Sequence, residues 1–143
     1  MGLDAVVYKN SRTIVSLCEV QPSRIDPHTG EVVFEGNTSL QYPPNFFEAA
    51  RMRLGNVDTI RQLRNEVEKE IGKNSLLVTK VLVSGTHSGD ILSLSEVSKL
   101  EDELIMLQER ADLDQLTALG LLSNKLKVLV TAARENGNPI VFV

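Results

Sequence analysis

The chain has 143 residues, of which 42% are hydrophobic and 24% charged, and its formal net charge is −4. That length supports one globular domain with a core, and the composition is too apolar and too weakly charged for disorder. A mildly acidic balance works against general nucleic-acid binding, a single cysteine excludes an internal disulfide or a multi-cysteine metal site, and no apolar run reaches the ~20 residues of a membrane span.

Residues 3–8 alternate like a strand, with Leu3, Ala5 and Val7 on one side and Asp4, Val6 and Tyr8 on the other. Residues 13–20 are rich in β-branched types and read as a second strand, in which Cys18 is a small buried apolar residue beside Val15, Leu17 and Val20. Asp26-Pro-His-Thr-Gly30 is a turn signal, since Pro27 pre-sets φ and Gly30 tolerates positive φ. Glu31–Glu35 then reads as the strand returning from a hairpin, and Gly36–Asn45, with Pro43 and Pro44, as a loop.

Asn45 is placed to cap a short helix through Leu54, ended by Gly55-Asn56. Ile60, Leu63, Val67 and Ile71 make one apolar stripe on a helix from about Asp58 to Ile71, with Gly72 at its C′ position. Residues 76–83 read as a short buried strand, with a helix capped by Asn74 or Ser75 as the alternative. Val97, Leu100, Leu104 and Leu107 mark a helix beginning near Ser95. Leu119, Leu122, Leu126, Leu129 and Ala133 mark a last one. Asp112–Gln115 separates the two, which predicts an antiparallel αα-hairpin. Asn136-Gly-Asn-Pro139 is a turn, and Ile140–Val143 a final strand that inserts into a sheet. The expected fold is a single α+β domain over residues 1–143. In it a small, mostly antiparallel sheet of N-terminal strands and the C-terminal strand packs against a helical part with an αα-hairpin.

Chemistry-bearing residues are few. In Ser84-Gly-Thr-His-Ser-Gly-Asp90, two hydroxyls and an imidazole lie between two glycines, and a carboxylate follows. Thr86, His87, Ser88 and Asp90 are therefore the candidate ligand or partner contacts. His87 is the residue able to trade protons near neutral pH, Asp90 can orient it, and Ser88 is the conceivable nucleophile. Against catalysis, a triad draws its members from separated segments, and G-x-S-x-G is absent. A metal set of His28, His87 and Asp26, with Asp90 alongside, forms only if the fold joins the two turns. Phosphate-loop and dinucleotide-binding patterns are missing, so no cofactor is expected.

Arg51, Arg53, Arg61 and Arg64 are interleaved with Glu48, Asp58, Glu66 and Glu68, and read as a solvated helix face. Glu101, Asp102 and Glu103 read as the wet side of their helix. Phe46 and Phe47 are core plus lid, or an apolar anchor for a partner.

The opening Met1-Gly-Leu-Asp4 and the stretch Gly85-Thr-His-Ser-Gly-Asp90 resemble a group of small bacterial proteins that begin this way and carry a similar mid-chain loop. No activity is established for that group, so the resemblance implies a bacterial cytoplasmic protein. The expected function is a non-catalytic domain that binds a protein partner or itself, with no nucleic-acid or membrane partner. The leucine-rich faces of the last two helices are its oligomer surface if the core leaves them free. The alternative is a small hydrolase or metal-dependent enzyme centred on Ser84–Asp90.

Overall fold

The computed structural model describes residues 2–19, 21–35, 42–43, 45–111 and 117–143. Alternation in the first strand works as the sequence predicts. In β1 (Gly2–Tyr8), Leu3, Ala5 and Val7 are fully buried in the main core with the helices, while Asp4 and Val6 face the other way. The last strand, β6 (Ile140–Phe142), does insert into the sheet. It pairs antiparallel with β1 on one side and with the two-residue β5 (Ile91–Leu92) on the other. A nine-residue strand, β4 (Glu48–Asn56), pairs antiparallel with the free side of β1, so the sheet order is β4-β1-β6-β5.

Helices cover one face of this sheet. They are α2 (Val57–Ile71), α3 (Leu94–Arg110) and α4 (Ala118–Asn136). Each starts on a residue whose side chain accepts a backbone N–H, namely Asn56, Ser93 and Thr117, and Ser93 with Glu96 forms a complete capping box. Arg134 bridges to Glu101 at 2.9 Å and Lys127 bonds Gln108 at 3.2 Å, so α4 runs antiparallel to α3. This is the expected αα-hairpin; its connection at Asp112–Gln115 lies outside the described residues, as does most of the expected Gly36–Asn45 loop. Leu100, Leu104, Leu107, Leu119, Leu122, Leu126 and Leu129 are all buried in the core. The leucine faces proposed as an oligomer surface are consumed inside the domain.

Three segments differ from the sequence reading. The strand expected over 13–20 is absent from its described residues: Ser11–Leu17 is a helix, α1, started by Asn10, whose side chain accepts from the Arg12 and Thr13 amides. Ile14 and Cys18, one helical turn apart, are buried there while Val15 and Leu17 are about half exposed. A good cap and a 3.6-residue spacing outweighed β-branched composition. Residues 45–54 are not a helix, because Ala50, Met52 and Leu54 alternate with Arg51 and Arg53 along β4. Residues 76–83 are not a strand. They form a single π-helical turn, Leu77–Val81, in which the Val78 amide donates to the Ser75 hydroxyl oxygen, close to the helical alternative.

The Asp26–Gly30 turn stands, with Asp26 Oδ1 accepting the His28 amide at 2.8 Å and the Thr29 amide at 3.3 Å. Its hairpin joins β2 (Arg24–Ile25) to β3 (Val32–Val33) in a separate two-stranded sheet, so the returning strand is shorter than Glu31–Glu35 and its partner is not 13–20.

Because Phe142 is fully buried in the central strand, Phe142→Ala should lower unfolding free energy by about 3–5 kcal/mol in a urea titration.

Candidate functional site

The Ser84–Asp90 loop is stitched to β6. The Gly89 amide donates to the Phe142 carbonyl at 2.7 Å, and the Phe142 amide donates to the Asp90 carbonyl at 2.9 Å. These bonds extend the β5–β6 ladder back into the loop. At the other end Gly85 lies against the start of α2, where a Cβ would sit 2.8 Å from the Val57 Cα. Only glycine allows that approach. Gly89 has φ +95°, again a glycine conformation. Both glycines therefore serve packing and turning.

His87 sits between these anchors. Its ring lies against Phe142, with centroids 4.5 Å apart, and its side chain is only 7% exposed. Nε2 is 2.9 Å from the Val81 carbonyl. A carbonyl only accepts, so Nε2 carries the proton. Nδ1 is 3.3 Å from Asp90 Oδ2 without hydrogen-bond alignment, and no solvent reaches it. A general base must touch the proton it removes. Neither nitrogen of His87 is open to a substrate, and Ser88, which is exposed, makes no hydrogen bond to it. Thr86 is also exposed, and its amide folds back onto the Ser84 hydroxyl at 3.3 Å.

The metal alternative does not assemble. Among the described residues no three His, Cys, Asp or Glu side chains gather where a metal ion would be held. His28 is exposed on its own turn, with Asp26 spent on the backbone there. His28, His87 and Asp26 are not brought together among the described residues.

Clefts flank the loop. One of about 510 Å³ is lined by Thr79, Lys80, Val83, Gly89, Asp90 and Ile91. Its Lys80 is paired with Glu96. The Glu96 carboxyl is held below the usual glutamate range chiefly by the Lys80 hydrogen bond; partial burial opposes this, and the Ser93 amide and hydroxyl reinforce it. A smaller cleft of about 190 Å³ lies between α2 and the loop. Its Arg64 donates to the Val83 carbonyl and its Arg61 pairs with Asp58, so its cations are already engaged. Glu103 is not simply on a wet face: its carboxylate accepts the Leu76 and Leu77 amides at 2.7 and 2.8 Å, starting the π-helical turn.

The sequence reading missed a second locality, at the outer edge of β4. Asp4 exchanges both backbone hydrogen bonds with Val143, so its peptide groups point toward β6 and those of Ala5 toward β4. Ala5 faces Met52. The backbone groups of Arg51 and Arg53 therefore point away from the sheet, whereas the register shifts between Val7 and Tyr8 and leaves Ala49 as an extra residue on β4. Arg53 has its carbonyl covered by Lys125 Nζ at 2.7 Å. By this alternation the Arg51 N–H and C=O turn to the outer side of β4, where no further strand among the described residues pairs. Beside this edge runs a groove of about 360 Å³ floored by Ala49, Ala50, Val128, Thr131 and Ala132, between Lys127 and Glu135. Val128 is 45% exposed.

The arginines once read as one helix face are thus divided. Arg51 and Arg53 stand on the sheet face, bonded to Asp4 and, for Arg51, to Glu48. Phe46 and Phe47 are half-buried in a ring cluster with Phe34 and Tyr42, with the Lys9 ammonium 5.0 Å above Phe46.

No family model, no curated protein and no solved structure matches this chain at a significant level.

His87→Ala should cost about 2–4 kcal/mol of stability through lost packing and an orphaned carbonyl, whereas His28→Ala should change it by less than about 0.5 kcal/mol; paired denaturant titrations check both. Glu96→Gln keeps the cap but loses the charge. It should cost at most about 1 kcal/mol at neutral pH. Because the folded carboxyl titrates low, this contribution is present above the unfolded value of about 4.3 and fades as pH falls through the lower folded value. The difference between wild type and variant should therefore vanish in acid-limb stability curves.

Proposed function

We propose that this chain is a non-catalytic domain that binds another protein, in a bacterial cytoplasm. The observation that carries this is the unpaired edge of β4 beside an apolar groove against α4. An edge strand with free peptide groups is a template for another strand, and proteins commonly blunt such edges with charge, bulges or cover. Here the sheet's outward face is charged and Ala49 forms a bulge, but among the described residues the outward peptide groups of Arg51 and the exposed Val128 are left available.

The loop supports the same view from the other side. His87 is spent on packing and on a backbone carbonyl, which removes the base an enzyme centred on Ser84–Asp90 would need. The leucine faces of α3 and α4 are used within the domain, which favours a different protein over a second copy. No helix among the described residues is long and apolar enough to cross a membrane. Residence in a bacterial cytoplasm rests on the resemblance carried by Met1–Asp4 and Gly85–Asp90 and on the one free cysteine, Cys18.

A photo-crosslinking residue at Ala49, compared with one at the exposed Glu66 on α2, tests the proposal in the cells that make the protein. A discrete protein adduct from position 49 and none from position 66 is expected. Equal yields from both, or no adduct from 49, would overturn it.

A further inference from the structure

Given the protein-binding proposal above, we infer that the β4 edge receives an extended segment of its partner in which acidic and small apolar residues alternate. A strand added beside β4 takes its hydrogen bonds from the outward peptide groups of Arg51 and from the Arg53 amide. Its side chains pleat in step with those of β4. Residues opposite Arg51 and Arg53 therefore lie on the charged face of the sheet. The residues between them lie opposite Ala50 and Met52, over the groove floored by Ala50, Val128 and Ala132. That groove is shallow and lined by small side chains, which selects small apolar residues there.

The charge on the guest follows from what surrounds the edge. Arg53 has Asp4 as its one acidic partner and shares it with Arg51. Lys125 is spent on the Arg53 carbonyl and Lys127 on the Gln108 amide oxygen, so neither has a carboxylate among the described residues. Four cations thus border the edge against Asp4, Glu48 and Glu135. Carboxylates on the guest would complete the pairing, since opposite charges directly across a sheet stabilise it. The same arginines disfavour a second copy of this chain. A symmetric antiparallel pairing of two β4 strands centred on Arg51, Met52 or Arg53 sets arginine against arginine.

The test uses the whole chain and two nine-residue peptides, one alternating aspartate with valine and one alternating lysine with valine. Amide NMR should show the aspartate peptide shifting Arg51 and Arg53 and slowing their hydrogen exchange, with the lysine peptide inactive. The double variant Arg51→Glu, Arg53→Glu should bind the aspartate peptide at least tenfold more weakly and gain the lysine peptide. Val128→Asp, on an exposed helix face, should weaken aspartate-peptide binding by a similar factor and decides the matter if the double variant does not fold. Binding of neither peptide, shifts centred on another surface, or indifference to charge reversal would each overturn strand addition at this edge. A protein adduct at Ala49 together with failure of the peptides would remove this inference and leave the protein-binding proposal standing. Loss of both would remove the two together.

Discussion

Strand β6 is the element on which the rest of the sheet depends. It has three residues, yet among the described residues it is the sole strand partner of β5 and one of two partners of β1. Asp4 and Val143 exchange both backbone hydrogen bonds, and Phe142 holds Gly89 and Asp90 through its own peptide group. Its side chains are buried on both faces. Ile140 and Phe142 lie in the main core, and Val141 is buried with Val6 on the opposite side. Burial of this kind is what a central strand requires and what an edge strand lacks. The place of His87, and so of the whole Ser84–Asp90 loop, follows from Phe142 beneath it.

The outer strand obeys a different logic. β4 buries Leu54, half-buries Ala50 and Met52, and turns the peptide groups of Arg51 and Arg53 to its outer side. Its arginines and the Lys125 cover over Arg53 act as the charged guards that edge strands carry. α4 lies against both β4 and the core, and is buried along most of its width, to the point of enclosing the Ser123 hydroxyl without a hydrogen bond among the described residues. Its exposed side, with Leu121 and Val128, is the side that meets the groove.

The sequence carried the fold class and the long elements because they rest on repeated spacing. α2, α3 and α4 each show three or more turns of apolar residues at helical intervals, and β1 shows strict alternation. What it hid was short or contested. Ser11–Leu17 has the composition of a strand, and the deciding signal was Asn10 together with Ile14 and Cys18 one turn apart. The alternation from Ala50 to Leu54 was present in the sequence but competed with Asn45 as a helix cap. β5 has two residues, too few for any period. The Ser84–Asp90 loop was legible as a loop, but its role was not. His87 becomes a packed residue only because Phe142 and Val81 lie beside it; Phe142 is far away in sequence, and Val81, though six residues upstream, meets it only through the path of the loop. The open edge of β4 could not be seen at all until the strand order was known.

The pairing of β1 with β6 joins residues more than a hundred positions apart, with Val6 opposite Val141. A sheet that closes through such a contact has a high contact order, and loop closure must precede its reward. During synthesis, α2, α3 and α4 can form while β1 waits without its central neighbour. The Gly89–Asp90 backbone likewise lacks its ladder until the same moment. The domain therefore reaches its native sheet only after Phe142 has cleared the ribosome, and until then Leu3, Ala5 and Val7 are surface that a chaperone can hold.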